Sequence, residues 1–294
     1  MVMRMFQLVE TPGNRPPRGA TLLRSANLLT PTDAEWGAGI RYVPDSCGGE
    51  FVNAARICGG AFVGWDDPAE RPDWVDYVPP FVAAGQACSV ISGERDLDET
   101  RARARRLLDQ CETVGIAREL WRGDVARAEV TAGDADFPNN YLTKAASLNE
   151  LNGSASTPLV EAFAWLEAAL ATCSCGGVAM IHASAFTASL WFAARLIERD
   201  ASGRLVSGLG TVIVADPGYD GSAPDLTVDA TNAVAWAYGT TMVDVRRGAV
   251  VDVGDKRTIN RETNDFTVYA VRPFAATFDP CCHVGIKVNH DDRT

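Results

Sequence analysis

The clearest hydrophobic pattern in this chain lies in residues 97–121 and has the period of an α-helix. Apolar side chains recur three or four positions apart, with arginines between them. The apolar positions are Leu97, Ala104, Leu107, Leu108, Cys111, Val114 and Trp121. Asp96, followed by Glu99 three residues later, is the signal of a capped N-terminus. We therefore predict a helix over 97–121, roughly 37 Å long at about 1.5 Å per residue.

Residues 157–221 alternate between helical and strand patterns. The stretch "TPLVEAFAWLEAALAT" predicts a helix with Thr157 as its cap and Pro158 at the first helical position, ending at Gly176. A buried strand, a second helix, and a strand with a turn are predicted next, over 178–184, 185–200 and 204–221. Helix, strand, helix and strand in this order indicate an α/β layer.

The C-terminal part has the two-residue period of β-strands. The stretch "DFTVYAVRPFAATF" (265–278) alternates apolar and polar positions. Residues 241–253 predict a strand, a turn around Arg247 and Gly248, and a second strand. The stretch "HVGIKV" (283–288) predicts a final short strand. The end of the chain is therefore expected to be rich in β-structure.

The first 92 residues lack a pattern that could form a core. Prolines and glycines in 11–19 and 30–33 break any helix in residues 1–48. This arm is expected either to be disordered or to lie extended across another surface. Residues 49–92 alternate short apolar runs with turns and have an acidic tip broken by prolines. They predict a two-stranded excursion, which is marginal alone and needs a partner surface.

Composition and charge exclude several protein classes. The chain of 294 residues is 47% hydrophobic and 22% charged, as in ordinary globular proteins. Its formal net charge of −11 disfavours a general nucleic-acid binder, which needs a basic face. The only net-basic segment is 1–24, where Arg4, Arg15, Arg18 and Arg24 outnumber Glu10. No secretory signal is recognisable, and the most apolar run (178–197) carries polar side chains that favour a buried strand and helix over a membrane span.

Cysteine and histidine provide the strongest hint of chemistry. Eight cysteines without a signal peptide predict reduced, mostly buried thiols. Zinc candidates are Cys173, Cys175, Cys281, Cys282 and His283. Adjacent side chains point to opposite faces of a strand, so Cys281 and Cys282 are poorly placed to reach one ion. Cysteine–histidine catalysis would need His182 or His283 as a base, but both lie in predicted strands and are interpreted as core histidines.

Three further patterns are interpreted as structural. The glycines of 208–215 lack the third glycine and the following helix of a dinucleotide loop. The acidic side chains near the tip favour solvation over calcium binding: Asp66, Asp67, Glu70, Asp73 and Asp76. Arginines on the long helix could bind phosphate, but are interpreted as a solvated face paired with Glu99 and Asp109: Arg101, Arg103, Arg105 and Arg106. We predict no catalytic, cofactor-binding or metal-binding residues and no cofactor.

Particular stretches resemble a known family. The stretch "RARARRLLDQCETVGIARELWRGD" is similar to the spine helix and its exit in tailed-bacteriophage major capsid proteins, with Glu119, Trp121 and Gly123 at the matching positions. Segments 157–184, 210–224 and 272–288 also resemble capsid proteins, the last two those of actinobacterial phages. These proteins have the Hong Kong 97 fold, which encapsulin shells share. The resemblance covers about 95–290.

The resemblance implies an α+β capsid fold with five parts. Residues 1–48 would be the N-terminal arm and 49–92 the extended β loop. Residues 93–154 would form the peripheral domain with its spine helix, and 155–240 the α/β axial domain. Residues 241–294 would contribute strands that complete both domains.

The function implied is structural and not enzymatic. Copies of the chain would assemble into pentamers and hexamers of an icosahedral head shell around double-stranded DNA, which is enclosed without sequence-specific binding. Implied partners are other copies of the chain and scaffolding, portal and decoration proteins, with no membrane. The protein would be located in the virion, which would be assembled in the bacterial cytoplasm.

The sequence departs from the capsid family in one respect, and two alternative functions remain open. Some capsid proteins crosslink through a lysine in the extended loop, but 49–92 contain no lysine. We therefore expect a shell held by noncovalent overlap. One alternative is an encapsulin-like cargo shell. The other is a cytosolic enzyme that uses Cys281, Cys282 or His283 as nucleophile, base or zinc ligand.

Overall fold

The computed structural model describes residues 20–30, 39–42, 75–89, 95–134, 137–174, 177–254 and 265–291. Contacts divide these residues into two compact units. The smaller unit is built from Ala83–Glu112 and Val250–Val271. The larger unit is built from Gly19–Val82, Thr113–Ala249 and Arg272–Thr294. The domain boundaries at 48, 92, 154 and 240 stay predictions.

Five α-helices lie in the described ranges. They are α1 (Leu22–Ser25), α2 (Arg95–Arg122), α3 (Asp124–Ala132), α4 (Leu159–Cys173) and α5 (Ala185–Ala193). Short 3-10 turns occur at Ala145–Ser147 and Leu151–Ser154.

Fifteen strands accompany them. The first eight are β1 (Asn27–Leu29), β2 (Ile40–Tyr42), β3 (Val75–Tyr77), β4 (Phe81–Ser89), β5 (Asn149–Glu150), β6 (Ser156–Pro158), β7 (Ala179–Ala183) and β8 (Ile197–Arg199). The others are β9 (Leu205–Ser207), β10 (Val212–Val214), β11 (Val234–Thr241), β12 (Asp244–Arg247), β13 (Val251–Val253), β14 (Asp265–Thr277) and β15 (His283–Asn289).

The smaller unit contains the first part of α2 and the strands around the first part of β14. β13 pairs antiparallel with β14, from Val251 opposite Val271 to Val253 opposite Tyr269, and β4 also pairs with β14. Alternate residues of β14 and two residues of α2 are buried: Phe266, Val268, Ala270, Ala104 and Leu108. The predicted period of two therefore holds for the first part of β14, whereas the four residues 274–277 are all buried.

The larger unit is built on an eight-stranded mixed sheet in the order β5-β15-β11-β7-β10-β9-β8, with β6 also paired to β15. β7 runs parallel to β10 and antiparallel to β11. All five residues of β7 are buried, which explains its continuous apolar run. β15, predicted as a short final strand, pairs with β11 on one side and with β5 and β6 on the other.

Alternation along these strands creates two buried layers. The helix-covered face packs Ile181, Ile213 and Ala237 against α4 and α5. The aromatic face packs Met180, Val214 and Tyr238 with the last part of α2. A one-residue step along each strand thus moves a side chain from one layer to the other.

Several predicted boundaries were wrong. α2 begins at Arg95, so Asp96 lies inside the helix and does not cap it. Pro158, not Thr157, is the N-cap of α4, because Thr157 pairs with Val288 in the sheet. α5 ends at Ala193, and part of the predicted second helix is β8, which pairs with β9.

Other elements differ from the predicted organisation. α3 was not predicted, because its nine residues span only about two and a half turns, too few for a helical period to stand out in the sequence. β12 and β13 each pair with β14 rather than with each other. β3 pairs with β2, and the chain between them, which includes most of the predicted excursion, lies outside the described residues.

The described part of the N-terminal arm contains one helical turn, α1, where no helix was predicted, followed by the extended strand β1. β1 pairs in parallel with β12, and the Leu22 amide donates to Asp216 Oδ2 at 3.0 Å. Leu22 is fully buried. This segment is therefore an integral part of the core.

Candidate functional site

The cysteine–histidine segment lies at the entrance to β15. Cys282 is fully buried and forms a disulfide with Cys173 at the end of α4, with the two Cα atoms 5.2 Å apart. Cys281 is exposed and is also disulfide-bonded. The prediction of reduced thiols was therefore wrong for these three residues. It rested on the missing signal peptide, whereas pairing depends on two chain segments that only the fold brings together.

The disulfides bear on the enzyme alternative. A cysteine nucleophile acts as a thiolate, and a disulfide sulfur carries no such charge. The free cysteine among the described residues, Cys111, is exposed on α2. No group of three or more potential ligands able to hold a metal ion occurs among the residues that the structure describes.

His283 is held inside the larger unit. It is 1% exposed, its Nε2 lies 2.9 Å from the Leu142 carbonyl oxygen, and its Nδ1 lies 3.1 Å from Ser147 Oγ. Burial lowers the pKa of His283 to about 4, although both hydrogen bonds favour the charged form. The ring is therefore neutral at physiological pH and joins β15 to the 142–147 loop.

His182 is similarly enclosed on the aromatic face. Its Nδ1 lies 3.0 Å from the Tyr219 hydroxyl, and its Nε2 lies 2.9 Å from Thr240 Oγ1. Burial, with a smaller contribution from His283, lowers its pKa to about 3. The third histidine, His290, is 3% exposed and contacts Thr187 Oγ1 at 3.0 Å. All three histidines thus occupy structural positions.

The residues after the long helix form a defined junction in the larger unit. The Glu119 carboxylate accepts hydrogen bonds from the Val125 and Ala126 amides at 3.0 and 3.4 Å, so it satisfies the N-terminus of α3. Burial raises the pKa of Glu119. Gly123 has a φ of 62°, and a Cβ there would lie 2.3 Å from the Tyr141 ring. The acidic residue and the glycine therefore have distinct structural tasks.

Trp121 anchors the same junction. It is fully buried, and its Nε1 donates to Ser222 Oγ at 2.9 Å. Its ring contacts Tyr219 and Tyr238 at centroid distances of 4.8 and 5.0 Å. The sequence stretch that resembles the spine-helix exit is thus the point at which α2 enters the aromatic core.

Two of the four candidate arginines on α2 form ion pairs, and Arg101 pairs with Asp98. Arg105 donates to both Asp252 oxygens at 3.0 and 2.8 Å, so its partner is on β13 and not the predicted Glu99 or Asp109. Arg103 and Arg106 are exposed, as a solvated face requires. In the acidic cluster, Asp76 pairs with Arg41. The other four acidic residues lie outside the described ranges.

The β2–β3 pair is the base of the predicted excursion and is fixed by contacts within the larger unit. The Tyr42 hydroxyl donates to the Phe278 carbonyl oxygen at 2.9 Å. The Asn139 side chain exchanges two hydrogen bonds with the Val78 backbone, at 2.6 and 2.8 Å. Ile40 and Tyr77 pack against Ala275. The base is therefore rigidly positioned even though it contains only two short strands.

Several large apolar side chains are exposed and available for contacts. Leu209, at the β9–β10 turn, is 80% exposed, and Phe81 is 66% exposed. No helix in the described ranges has the length and apolar content needed to cross a membrane. Surface apolar residues of this kind are suited to protein contacts.

Comparison with solved structures identifies the architecture. The chain is similar to the capsid of a native GTA particle, with a TM-score of 0.52 and 15% identity over 96% of this chain and 94% of that one. For the capsid of an empty GTA particle, the TM-score is 0.51 and the identity is 16%, again over 96% of this chain and 94% of that one. For a structure from Gordonia phage Cozz, the TM-score is 0.50 and the identity is 12%, over 96% of this chain and 90% of that one. The chain has the Hong Kong 97 capsid fold.

The Hong Kong 97 fold extends over nearly the whole chain, more than the 95–290 covered by the sequence resemblance. No family model and no curated protein matches the sequence. The fold is therefore recognised from the arrangement of its elements, and at identities of 12–16% the likeness extends to architecture alone.

Proposed function

We propose that this chain is the structural subunit of an icosahedral phage-type head shell that encloses double-stranded DNA. The observation that carries the proposal is the fold match to GTA capsids over 96% of the chain. The proposed subunit acts through its contacts with other copies, and its site of action is the virion.

The arrangement of the larger unit suits such a subunit. The β2–β3 pair is anchored, and exposed apolar side chains remain at the β9–β10 turn and on β4. Contacts between different surfaces of identical copies close into rings when the rotation permits, which would give the proposed pentamers and hexamers. The net charge of −11 suits a container wall that encloses DNA without retaining it tightly.

The proposal includes no catalytic step. The histidines that an enzyme would need are buried and hydrogen-bonded, and Cys281 and Cys282 are disulfide-bonded. These are properties of a structural core. Scaffolding, portal and decoration proteins are proposed partners, in accord with the sequence resemblance.

Electron microscopy of the purified protein tests the proposal. We expect closed icosahedral particles or ring-shaped capsomers, with DNA in particles isolated from the phage source. A small discrete oligomer would contradict shell assembly. Particles that hold a protein cargo and no DNA would support the encapsulin-like alternative.

A shortened excursion provides the sharper test. Replacing residues 50–68 by a short Gly-Ser linker keeps β2, β3 and the contacts of Tyr42. We expect an unchanged unfolding midpoint of the isolated subunit but loss of closed shells, because the excursion is proposed to act in contacts between copies. The matched control replaces the exposed β8–β9 turn residue Ser202 by Gly, and should still form shells. Normal shells from the shortened variant would refute an assembly role for this segment.

Covalent crosslinking separates two ways of strengthening the shell. Because 49–92 contain no lysine, we expect a single subunit band on a reducing, denaturing gel of mature particles. A ladder of multimers that resists reduction would show that the shell is covalently linked by another route.

A further inference from the structure

The disulfides at the start of β15 differ in their access to solvent. Cys281 is exposed, Cys282 is fully buried, and Cys173 is half-buried. Cys282 packs in the same apolar layer as Leu170, Val284 and Ile286. The inner bridge, between Cys173 and Cys282, therefore has one sulfur atom inside the core, whereas the outer bridge of Cys281 has one at the surface.

We propose that these bridges form a two-stage redox lock on the helix-covered face, in which small thiols open the outer bridge first and the inner bridge only when the core loosens. The inner bridge joins residues 109 positions apart in the sequence and ties the end of α4 to the start of β15. It therefore fixes a helix to an interior strand of the eight-stranded sheet.

The order follows from the chemistry of exchange. A thiolate attacks one sulfur of a disulfide and expels the other as a thiolate. Attack at the accessible Cys173 expels the Cys282 thiolate into an apolar layer, where burial disfavours its charge. Attack on the outer bridge occurs at or beside the exposed Cys281. Opening the inner bridge is therefore slow until the core admits water.

The reaction balances with small thiols as the reductant. Two thiol molecules lose two electrons and two protons and form one small disulfide, while each protein bridge gains them and becomes two thiols. Closing the lock reverses this exchange, with a low-molecular-weight disulfide as the oxidant. A chain made in a reducing cytoplasm would thus fold first and lock after transfer to an oxidising medium.

Timed alkylation of the folded, oxidised full-length protein tests this order. The protein is incubated with dithiothreitol, quenched with iodoacetamide at intervals, and mapped by peptide mass spectrometry. Cys111 should be modified before reductant is added, since it is free and exposed. Cys281 should follow, and Cys173 and Cys282 should appear together, at least tenfold more slowly. Low urea should accelerate only this last step. Modification of Cys173 and Cys282 before or together with Cys281 would overturn the order.

A stability measurement tests the lock itself. Cys173→Ala removes the inner bridge but leaves the buried Cys282 in place as a small apolar residue, so the variant should fold. Loss of a bridge closing a loop of this length should reduce the folding equilibrium constant by roughly a hundredfold to a thousandfold. Reductant should lower the unfolding midpoint of the parent protein by more than that of Cys173→Ala, because the variant keeps only the outer bridge of Cys281. The control Cys111→Ser should behave like the parent. Equal midpoints with and without reductant for the parent would refute the lock, whether or not the chain forms shells.

Discussion

The two faces of the eight-stranded sheet are both buried but are built in different ways. The helix-covered face consists of aliphatic side chains and the edge-to-face pair Phe163 and Trp191 beneath α4 and α5. The aromatic face contains Trp121, Tyr219 and Tyr238, with His182 on the same side of the strands. The first face depends mainly on shape and apolarity, with one hydrogen bond from Trp191 Nε1 to the Leu159 carbonyl oxygen at 3.2 Å, whereas the second has several side-chain hydrogen bonds.

Hydrogen bonds on the aromatic face pair the polar groups of Tyr238 and Trp121. The Tyr238 hydroxyl donates to the Ser222 carbonyl oxygen at 3.0 Å, and Trp121 donates to the Ser222 hydroxyl. An unpaired polar group here would cost about 1–3 kcal/mol. Directional bonds therefore permit one arrangement of the 216–222 loop, while the apolar face tolerates changes that preserve volume. Both layers therefore bury their side chains, but the aromatic face restricts the arrangement of its residues more than the helix-covered face does.

Replacing the central tryptophan of each face should produce the largest effects. Trp121→Ala and Trp191→Ala should each destabilise the fold by about 3–5 kcal/mol, because both rings are fully buried. Trp121→Ala should cost more, since Trp121 contacts two aromatic rings whereas Trp191 contacts one, that of Phe163. The measurement is chemical denaturation, with Trp165→Ala as the control because Trp165 is 44% exposed. A larger loss of stability for Trp191→Ala would mean that the helix-covered face contributes more to the free energy of unfolding.

Acid should weaken the aromatic face selectively. The folded-state pKa values of about 3 for His182 and about 4 for His283 lie below the ordinary 6.5. Below pH 6.5 the unfolded chain therefore binds protons that the folded chain excludes. Stability should fall by about 1.4 kcal/mol per pH unit for each histidine until the folded pKa is reached.

His283→Gln tests this linkage without removing the bulk of the side chain. Denaturation curves at pH 7, 5.5 and 4.5 should show a large stability difference from the parent at pH 7 that shrinks with falling pH. The parent alone carries the His283 proton linkage, and the acidic groups common to both proteins cancel. An equal loss of stability with falling pH in both proteins would show that His283 does not contribute to the pH dependence.

The smallest effect is expected at the edge of the aromatic face. Glu119→Ala should cost about 1–2 kcal/mol, because it leaves the Val125 and Ala126 amides at the start of α3 without their acceptor. Glu119→Gln retains an acceptor oxygen and should recover part of this loss. Glu129→Ala on the exposed side of α3 is the matched control, measured by thermal unfolding. Equal effects at both positions would exclude the capping role.

Periodicity predicted the long elements of the fold but not how short segments pair. The long helix, β7, β14 and β15 were all recognisable, because many residues contribute to each pattern. β8 was predicted as helix, since only pairing with β9 decides the state of three residues. The capsid resemblance rested on the stretch containing Glu119, Trp121 and Gly123, whose tasks became clear only from their contacts.

In the cysteine–histidine segment, too, the local pattern was predictable from the sequence but the pairing with a distant segment was not. Its alternation predicted that neighbouring side chains point in opposite directions, and Cys282 and His283 do lie on opposite faces. Nothing in the sequence joined Cys173 to Cys282, because their pairing depends on where α4 ends above the sheet.

The sequence by itself determined the period of the main helices and strands, the apolar stripes that they bury and the acidic charge of the chain. These properties depend on local spacing and on composition. The tertiary structure alone decided the strand order, the disulfide, the hydrogen bonds of the three histidines and the acceptor for the start of α3. Each of these joins residues far apart in the chain, and such contacts form only when the hydrophobic layers have brought the segments together.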